Sequence, residues 1–475
     1  MPDFNTTFHE DGFSALTDRF DLVVIGGGMA GIRTACASAG AGLKTALIVK
    51  DGRALGGRYL RHTLGLCYLH AFVKTTIDCQ NAGRMGIRTS GLNVDLNQTL
   101  ADQTRVITAY GVGLDRDLIN AGVTVIEGTA YPKQGGRVDI TQDGTLVRSL
   151  SADRVVLAVG SRHVKHKRHE RFDRVLSDDD ITHPNQIPGD LVIAGSGAAA
   201  CEIACIYARL GSRVTIITKA DHVLEGIDAQ IVGRLEEQMK KVDIVTHTKS
   251  TVVDVYKDSL GSIHIEIEQD SGKRETLFCS DVYLIPKAQP RLETLEDLPL
   301  VIDDGKIAVD ESMRTNIDGI YAVGSAVRGG TDISRVTAQA RALVAALTGG
   351  ETARVSDYLC ATTLRTIPEI ACVGLTDKQA RAFYKDVRIG LAPLGADGKG
   401  LLDDKKQGFV KVIADGEYSE ILGVHMIGDD ALELIGQAQA IIAAEGTLQD
   451  FDRYVLPAPG LSGALYDAIS KVEVD

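Results

Sequence analysis

The sequence predicts an α/β fold made of two parallel-sheet units followed by a C-terminal α+β unit. Three observations predict it. The segment DLVVIGGGMAGIRTACASAGAGLKTALIVKD, from Asp21, and the segment DLVIAGSGAAACEIACIYARLGSRVTIITKAD, from Asp190, share one pattern. Each runs from an apolar strand through a glycine turn and an amphipathic helix to a glycine (Gly42, Gly211) and a second apolar strand. That order is the strand–helix–strand unit of a parallel sheet. The third observation is the stretch after Gly350. Its strand patterns near 369–374, 409–413 and 421–426 alternate with helical patterns near 376–384, 430–444 and 461–470.

The intervening elements follow in order. Residues 122–160 alternate apolar and polar positions with turn signals, as in a β-meander. Residues 177–188, SDDDITHPNQIP, read as a domain boundary. Residues 251–285 read as antiparallel strands. IDGIYAVGSAVRGG, 317–330, reads as a strand entering a helix of small residues near 331–348.

Composition bounds the function. The 475 residues suffice for two to four domains. Hydrophobic residues at 44% and charged residues at 24% support packed cores and exclude global disorder. The formal net charge of −13 argues against a protein that tracks nucleic-acid phosphates. No apolar run reaches the ~18 residues a membrane span needs. The polar, acidic N-terminus carries no secretory pattern, so the expected compartment is the cytoplasm with reduced thiols. The one basic run, SRHVKHKRHERFDR from Ser161, reads as a solvated surface stretch or as an anion-docking patch.

Gly26, Gly28 and Gly31 form GxGxxG directly after a strand. The first glycine permits the tight turn, the second admits a pyrophosphate to the backbone, and the third packs helix on strand. Gly195, Gly197 and Ala200 repeat the arrangement, and Glu202 lies just inside the following helix, where a carboxylate suits the positive end of the dipole. Both units are therefore expected to be Rossmann-like and to bind dinucleotides. Cys36, Cys201 and Cys205 fall on core helices. Cys79, Cys279, Cys360 and Cys372 have no metal-ligand spacing, and no metal is expected.

These motifs, in order with AVGSR (158–162), TNIDGIYAVGS (315–325) and RTIPEIACVGLTDKQA (365–380), resemble the pyridine nucleotide–disulfide oxidoreductases. That family includes dihydrolipoamide dehydrogenase and soluble pyridine nucleotide transhydrogenase, and residues 355–470 are most similar to the latter. The resemblance implies an FAD-binding domain (1–163 and 288–350), an inserted NAD(P)-binding domain (164–287) and an interface domain (351–475) that makes a homodimer. It implies FAD contacts from Gly57, Ala130, Gly160, Gly324 and Ser325, besides the first glycine turn. For NAD or NADP it implies Gly195, Gly197 and Lys219.

The sequence departs from the family where chemistry is carried. Tyr59 and Leu64 occupy the positions of the redox cysteine pair, and Cys67 that of the following lysine. Ala458 and Gly463 replace the C-terminal His and Glu, and neither moves a proton. Conventional disulfide reduction is therefore not expected. Val49 stands where an acidic residue binds the adenosine ribose, and Ser325 where an Asp binds the flavin side chain. Each charged hydrogen bond lost costs about 1.5–3 kcal/mol. Thr218 replaces the second ribose-binding acid. Lys219 would pair a 2′-phosphate, with Glu225 opposing, and Lys287-Ala288 stands for a Gly-Arg.

Cys67 reads as a lone redox thiol, which needs a pKa lowered by a cation such as Arg61, His62 or His70, or as a small buried side chain. Tyr59 and Tyr68 read as pocket-lining or packing residues. The expected function is an FAD-dependent NAD(P)H oxidoreductase that passes electrons through flavin to a small acceptor without a protein disulfide. The catalytic candidates are Cys67 and Glu202. The alternative is a non-catalytic relative acting as a sensor, scaffold or dimer partner.

Overall fold

The computed structural model describes residues 18–472 except 51–54, 89–90, 164–173, 260–261, 286–287, 331, 351–355, 397, 404–406 and 454. Lys287 and most of the basic run after Ser161 lie outside the described residues. The expected mixed α/β architecture is borne out.

The first sheet has seven strands. Asp18–Ile25 lies between Thr45–Val49 and Thr145–Leu157, parallel to both. Its register (Leu22 on Thr45, Ile25 on Leu157) puts Leu22, Val23 and Val24 fully inside. Helices cover both faces of such a sheet, so its strands are apolar throughout rather than alternating. Thr145–Leu157 is used twice. Its first part pairs antiparallel with Arg137–Gln142, and its last residues pair parallel with Ile320–Ala322. One expectation is corrected: Thr124–Glu127 is not part of the meander but a parallel outer strand beside Thr45–Val49. The long helix Leu96–Asn120 returns the chain to that edge, and a crossover of that kind yields parallel pairing.

The second sheet is parallel, with Asp190–Ala194 flanked by Arg213–Ile217 and Asp281–Leu284, and Val245–His247 outside. The three-stranded antiparallel sheet Ser250–Lys257, Ile263–Gln269 and Arg274–Cys279 matches the reading of 251–285 only as far as Cys279. Asp281–Leu284 is parallel and belongs to the neighbouring sheet. The chain leaves the first unit through Ser161–His163 and re-enters through Ala288–Pro290, and these two short strands pair antiparallel. The last sheet is five-stranded and antiparallel, with Ile370–Gly374, Phe409–Asp415 and Ile421–Ile427 at its centre. Thr362–Leu364 and Val387–Pro393 add edge strands that the sequence reading lacks.

Residues 177–188 are more than a connector. Ser177 caps the short helix Asp178–Thr182 in a capping box with Asp180. The same segment ties the units together: Tyr207 Oη donates to the Ile181 carbonyl at 2.8 Å, and Gln103 Nε2 donates to the carbonyls of Gly65 and Thr182. Asp178 gathers partners from three elements. Tyr283 Oη donates to its Oδ1 at 2.6 Å, His163 Nδ1 lies 2.8 Å from its Oδ2, and Arg58 Nη2 lies 3.2 Å from the same oxygen. Burial alone would raise its pKa, but the bonds from His163 and Tyr283 and the charge of Arg58 hold it well below the usual carboxylate range. Its ionised form therefore adds stability above the unfolded carboxylate pKa near 4, lost as pH falls. Tyr283→Phe removes one charge-assisted bond and is expected to cost about 1.5–3 kcal/mol at neutral pH. It is also expected to move the acid-unfolding midpoint upward, which circular dichroism across an acid titration would measure.

Candidate functional site

Two glycine turns open the candidate site. Gly26 takes φ +119°, and a β-carbon there would sit 2.3 Å from the Ala158 carbonyl oxygen. A β-carbon on Gly31 would sit 1.9 Å from the Gly26 oxygen. These two glycines close-pack helix Met29–Gly40 onto the strands. Gly28 differs: it is extended (φ −75°, ψ 172°), it starts the helix without a side-chain cap, and a β-carbon on it meets nothing within 4 Å. Gly28 bridges Gly56 in the parallel sense, and a β-carbon on Gly57 would lie 3.4 Å from the Gly28 Cα. The result is open space walled by bare backbone, with uncapped N–H groups facing it. Such a cradle fits a pyrophosphate.

The structure brings several of the sequence candidates together. Gly160 (φ +72°) faces Ser325, whose Oγ lies 3.9 Å from where the Gly160 β-carbon would stand. Gly324 (φ +77°) packs against Ala30 in the first helix turn, and its N–H donates to Gln339 Oε1 at 2.8 Å. Lys306 Nζ donates to the Ser325 carbonyl at 2.8 Å, putting a cation beside the position that lacks an Asp. Ala130 is buried in the core of the first unit on the strand Thr129–Pro132, so only its backbone is left for a ligand. Val49 ends its strand as expected, but its side chain lies over Gly27, where a β-carbon would come within 2.6 Å of Cγ1.

The second turn follows the same design. Gly195 (φ +144°) packs beneath Ile285, while Gly197 caps helix Ala198–Arg209 with no side-chain bond and open space above it. Thr218 is buried, and its Oγ1 accepts from the Ala220 N–H at 3.1 Å, so the side chain is engaged in a local turn. Lys219 is exposed.

Between the turns the chain winds through a wide π-helical turn, Tyr59–Thr63, into helix Leu64–Asn81. Such turns recur at functional sites. Tyr59 and Tyr110 face each other with ring centroids 6.0 Å apart. Tyr68 Oη donates to Asp102 Oδ2, which places it on the outside of this helix pair. Glu202 does more than meet a helix dipole: its carboxylate accepts the Arg365 N–H at 2.6 Å, linking helix Ala198–Arg209 to the C-terminal unit. Burial raises the Glu202 pKa, and the Arg365 N–H and guanidinium oppose that shift.

Cys67 receives the opposite of the environment a reactive thiolate needs. Burial raises its pKa and the Glu202 carboxylate adds to the rise, with Arg365 alone among the named charges pulling it down. His70 supplies no positive charge, because burial and the charge of Lys74 lower its pKa to about 4. Burial and Arg58 lower His62 to about 4 as well. Among the described residues no disulfide joins any of the eight cysteines. Cys67→Ser is therefore expected to leave flavin reduction by pyridine nucleotide within about twofold of the parent, since a neutral thiol is a poor nucleophile. Stopped-flow absorbance checks this. A tenfold loss would make Cys67 a redox participant.

Sequence reasoning did not single out Arg365, Glu369 and Lys74. Arg365 and Glu369 lie in RTIPEIACVG, where they mark family resemblance and carry no spacing signal of their own. Together with Cys67 and His70 they line a cavity of about 400 Å³. Ala458 is exposed and Gly463 begins helix Gly463–Ser470, so neither supplies an acid or base. Among the described residues no cluster of His, Cys, Asp and Glu is arranged to hold a metal, and no helix is long and apolar enough to cross a membrane.

This geometry agrees with what known proteins show. Residues 20–345 match the pyridine nucleotide-disulphide oxidoreductase family, and residues 360–469 match its dimerisation domain. The chain belongs to that family. It is 31% identical to a dihydrolipoyl dehydrogenase of Bacillus subtilis (strain 168), over 94% of this chain and 97% of that one. It is 28% identical to leghemoglobin reductase of Glycine max, over 96% and 88% of the two chains. In fold it is similar to LpdA from Mycobacterium tuberculosis, with a TM-score of 0.86, 23% identity, and coverage of 96% and 99%. It is likewise similar to the HOCl-induced flavoprotein disulfide reductase RclA from Escherichia coli, with a TM-score of 0.82, 19% identity, and coverage of 95% and 100%. Members of the family depend on FAD and NAD(P)H, and membership supports both as cofactors of this chain. The open cradle at Gly28 and Gly57 fits the first of these groups.

Proposed function

We propose that this chain is an NAD(P)H oxidoreductase whose electrons reach a small acceptor through FAD, with no protein disulfide between them. The observation that carries the reading is the pairing of an open glycine cradle at Gly28 with a dithiol position filled by Tyr59 and Leu64. When bound, FAD supplies a two-electron carrier that takes hydride from the nicotinamide and passes electrons on. The chain's own residues bind and orient. Gly26, Gly28 and Gly31 hold the pyrophosphate at a helix N-terminus. Gly57, Gly160, Gly324 and Ser325 line the flavin side chain, and the Ala130 backbone faces the adenosine. Gly195 and Gly197 hold the pyridine nucleotide, with Lys219 reaching toward its ribose. Glu202 holds the Arg365 backbone and so fixes the wall nearest Cys67. The dimerisation domain supports a homodimer. The reading includes a cytoplasmic setting, in which the eight cysteines stay reduced.

The purified protein is expected to be yellow, to release FAD on boiling, and to bleach anaerobically with NADH or NADPH. It is expected to turn over with a quinone or dye and not with lipoamide. A preparation that stays colourless after incubation with excess FAD would overturn the redox reading and leave a scaffold or sensor.

A further inference from the structure

We propose that the cavity between helix Leu64–Asn81, the turn at Arg365–Glu369 and helix Ala431–Ala443 binds a small carboxylate that also carries an O–H or N–H group. This goes beyond the redox reading and does not rest on it, because the binding groups belong to the cavity alone.

Cys67, His70 and Lys74 are spaced i, i+3 and i+7, so one face of the helix points into the space. His70 is the informative residue. Its side chain is 6% exposed, and its Nε2 has no hydrogen-bond partner. The nearest carboxylate oxygen, Glu369 Oε1, is 4.0 Å away. Burial disfavours the imidazolium, so the ring is held neutral. A buried ring nitrogen without a partner calls for a hydrogen-bonding group, and a hydroxyl can serve either tautomer.

The second group is Arg365. Its backbone N–H is given to Glu202, while its guanidinium makes no hydrogen bond or ion pair among the described residues. A planar guanidinium fork matches a carboxylate bidentately. Lys74 does not compete, because its Nζ already lies 3.1 Å from Glu369 Oε1. Glu433 at the mouth is exposed and repels a second anionic group on the ligand. Asp430 also lines the space, and with Glu433 it adds to the repulsion of a second anionic group, so the Arg365 fork and the neutral His70 nitrogen in about 400 Å³ favour a monocarboxylate with an O–H or N–H group.

Calorimetric titration of the protein as purified, with L-serine, L-lactate and propionate, tests this. Serine or lactate is expected to bind at least tenfold more tightly than propionate, and the difference between the first two identifies the preferred group. Arg365→Met is expected to abolish binding. Arg365→Lys, which keeps the charge and loses the fork, is expected to weaken it about tenfold. His70→Phe is expected to bring serine and lactate down to the propionate level. Iodoacetamide labelling of Cys67, read on its own peptide by mass spectrometry, is expected to slow at least fivefold with bound ligand. Equal affinity for all three compounds would overturn the proposal. So would no binding tighter than about 10 mM, or affinities unmoved by Arg365→Met in a protein whose melting temperature is unchanged.

Discussion

Asp228→Ala is expected to be among the most damaging single substitutions in the chain, lowering stability by about 3–5 kcal/mol. Asp228 caps helix Ala229–Lys240 by accepting the Gln230 N–H. Its other oxygen accepts from Lys411 Nζ at 2.8 Å across the boundary to the C-terminal sheet. Both side chains are 2% exposed, so removing one strands a full charge out of water. Among the described residues Lys411 then keeps only Asp377, 3.8 Å away, as a weaker partner. The sign with pH follows from Asp228. Burial would raise its pKa, yet the Lys411 bond and charge hold it below the ordinary value. The pair's contribution is thus present above the unfolded carboxylate pKa near 4 and lost as pH falls. Denaturant titration at neutral pH should show the full loss. The double variant Asp228→Leu with Lys411→Met is expected to recover much of it, because an apolar pair leaves no charge unpaired. A single-variant loss below about 1 kcal/mol would mean water reaches this pair.

Gly28→Asp is expected to leave the fold intact and to weaken FAD binding at least a hundredfold, about 2.7 kcal/mol. The backbone at Gly28 is ordinary extended geometry, and a side chain there enters open space. It costs the protein little but puts bulk and negative charge where the phosphates belong. Gly31→Val gives the contrast. Its β-carbon would collide with the Gly26 carbonyl at 1.9 Å, so loss of folding is expected before any question of ligand arises. Melting temperature and FAD affinity measured on both variants separate the two. If Gly28→Asp retains FAD, the cradle is not the flavin site.

The repeated glycine turns were legible because a φ near +119° at Gly26 and a contact of 1.9 Å at Gly31 admit one residue type. The strands Asp18–Ile25 and Asp190–Ala194 were legible for a related reason: burial on both faces writes a continuous apolar run. The edge strand Val387–Pro393, by contrast, turns the small Gly390 and Ala392 inward and Leu391 outward, so its burial runs against its hydrophobicity. Asp281–Leu284 reads as one more antiparallel strand because direction leaves no local mark; partner choice is a tertiary matter. In the site, the substitutions at Tyr59 and Leu64 could be counted from the motif, since loss of sulfur is plain in the letters. What replaced the dithiol could not. Arg365 reaches Cys67 and His70 only because Glu202, 163 residues earlier, fixes its backbone. The neutral state of His70 depends on burial that no sequence window reports.

The strand Ile320–Ala322 completes a sheet whose neighbour ends at Leu157. During synthesis, 320 − 157 = 163 residues must emerge before that gap closes. At roughly 5–20 residues per second this is about 8–33 seconds, ample time for the intervening unit to settle first. The earliest-made part of the polypeptide is therefore among the last to finish. A nascent chain stalled before Ile320 should resist protease over 190–285 while its leading segment is still cut.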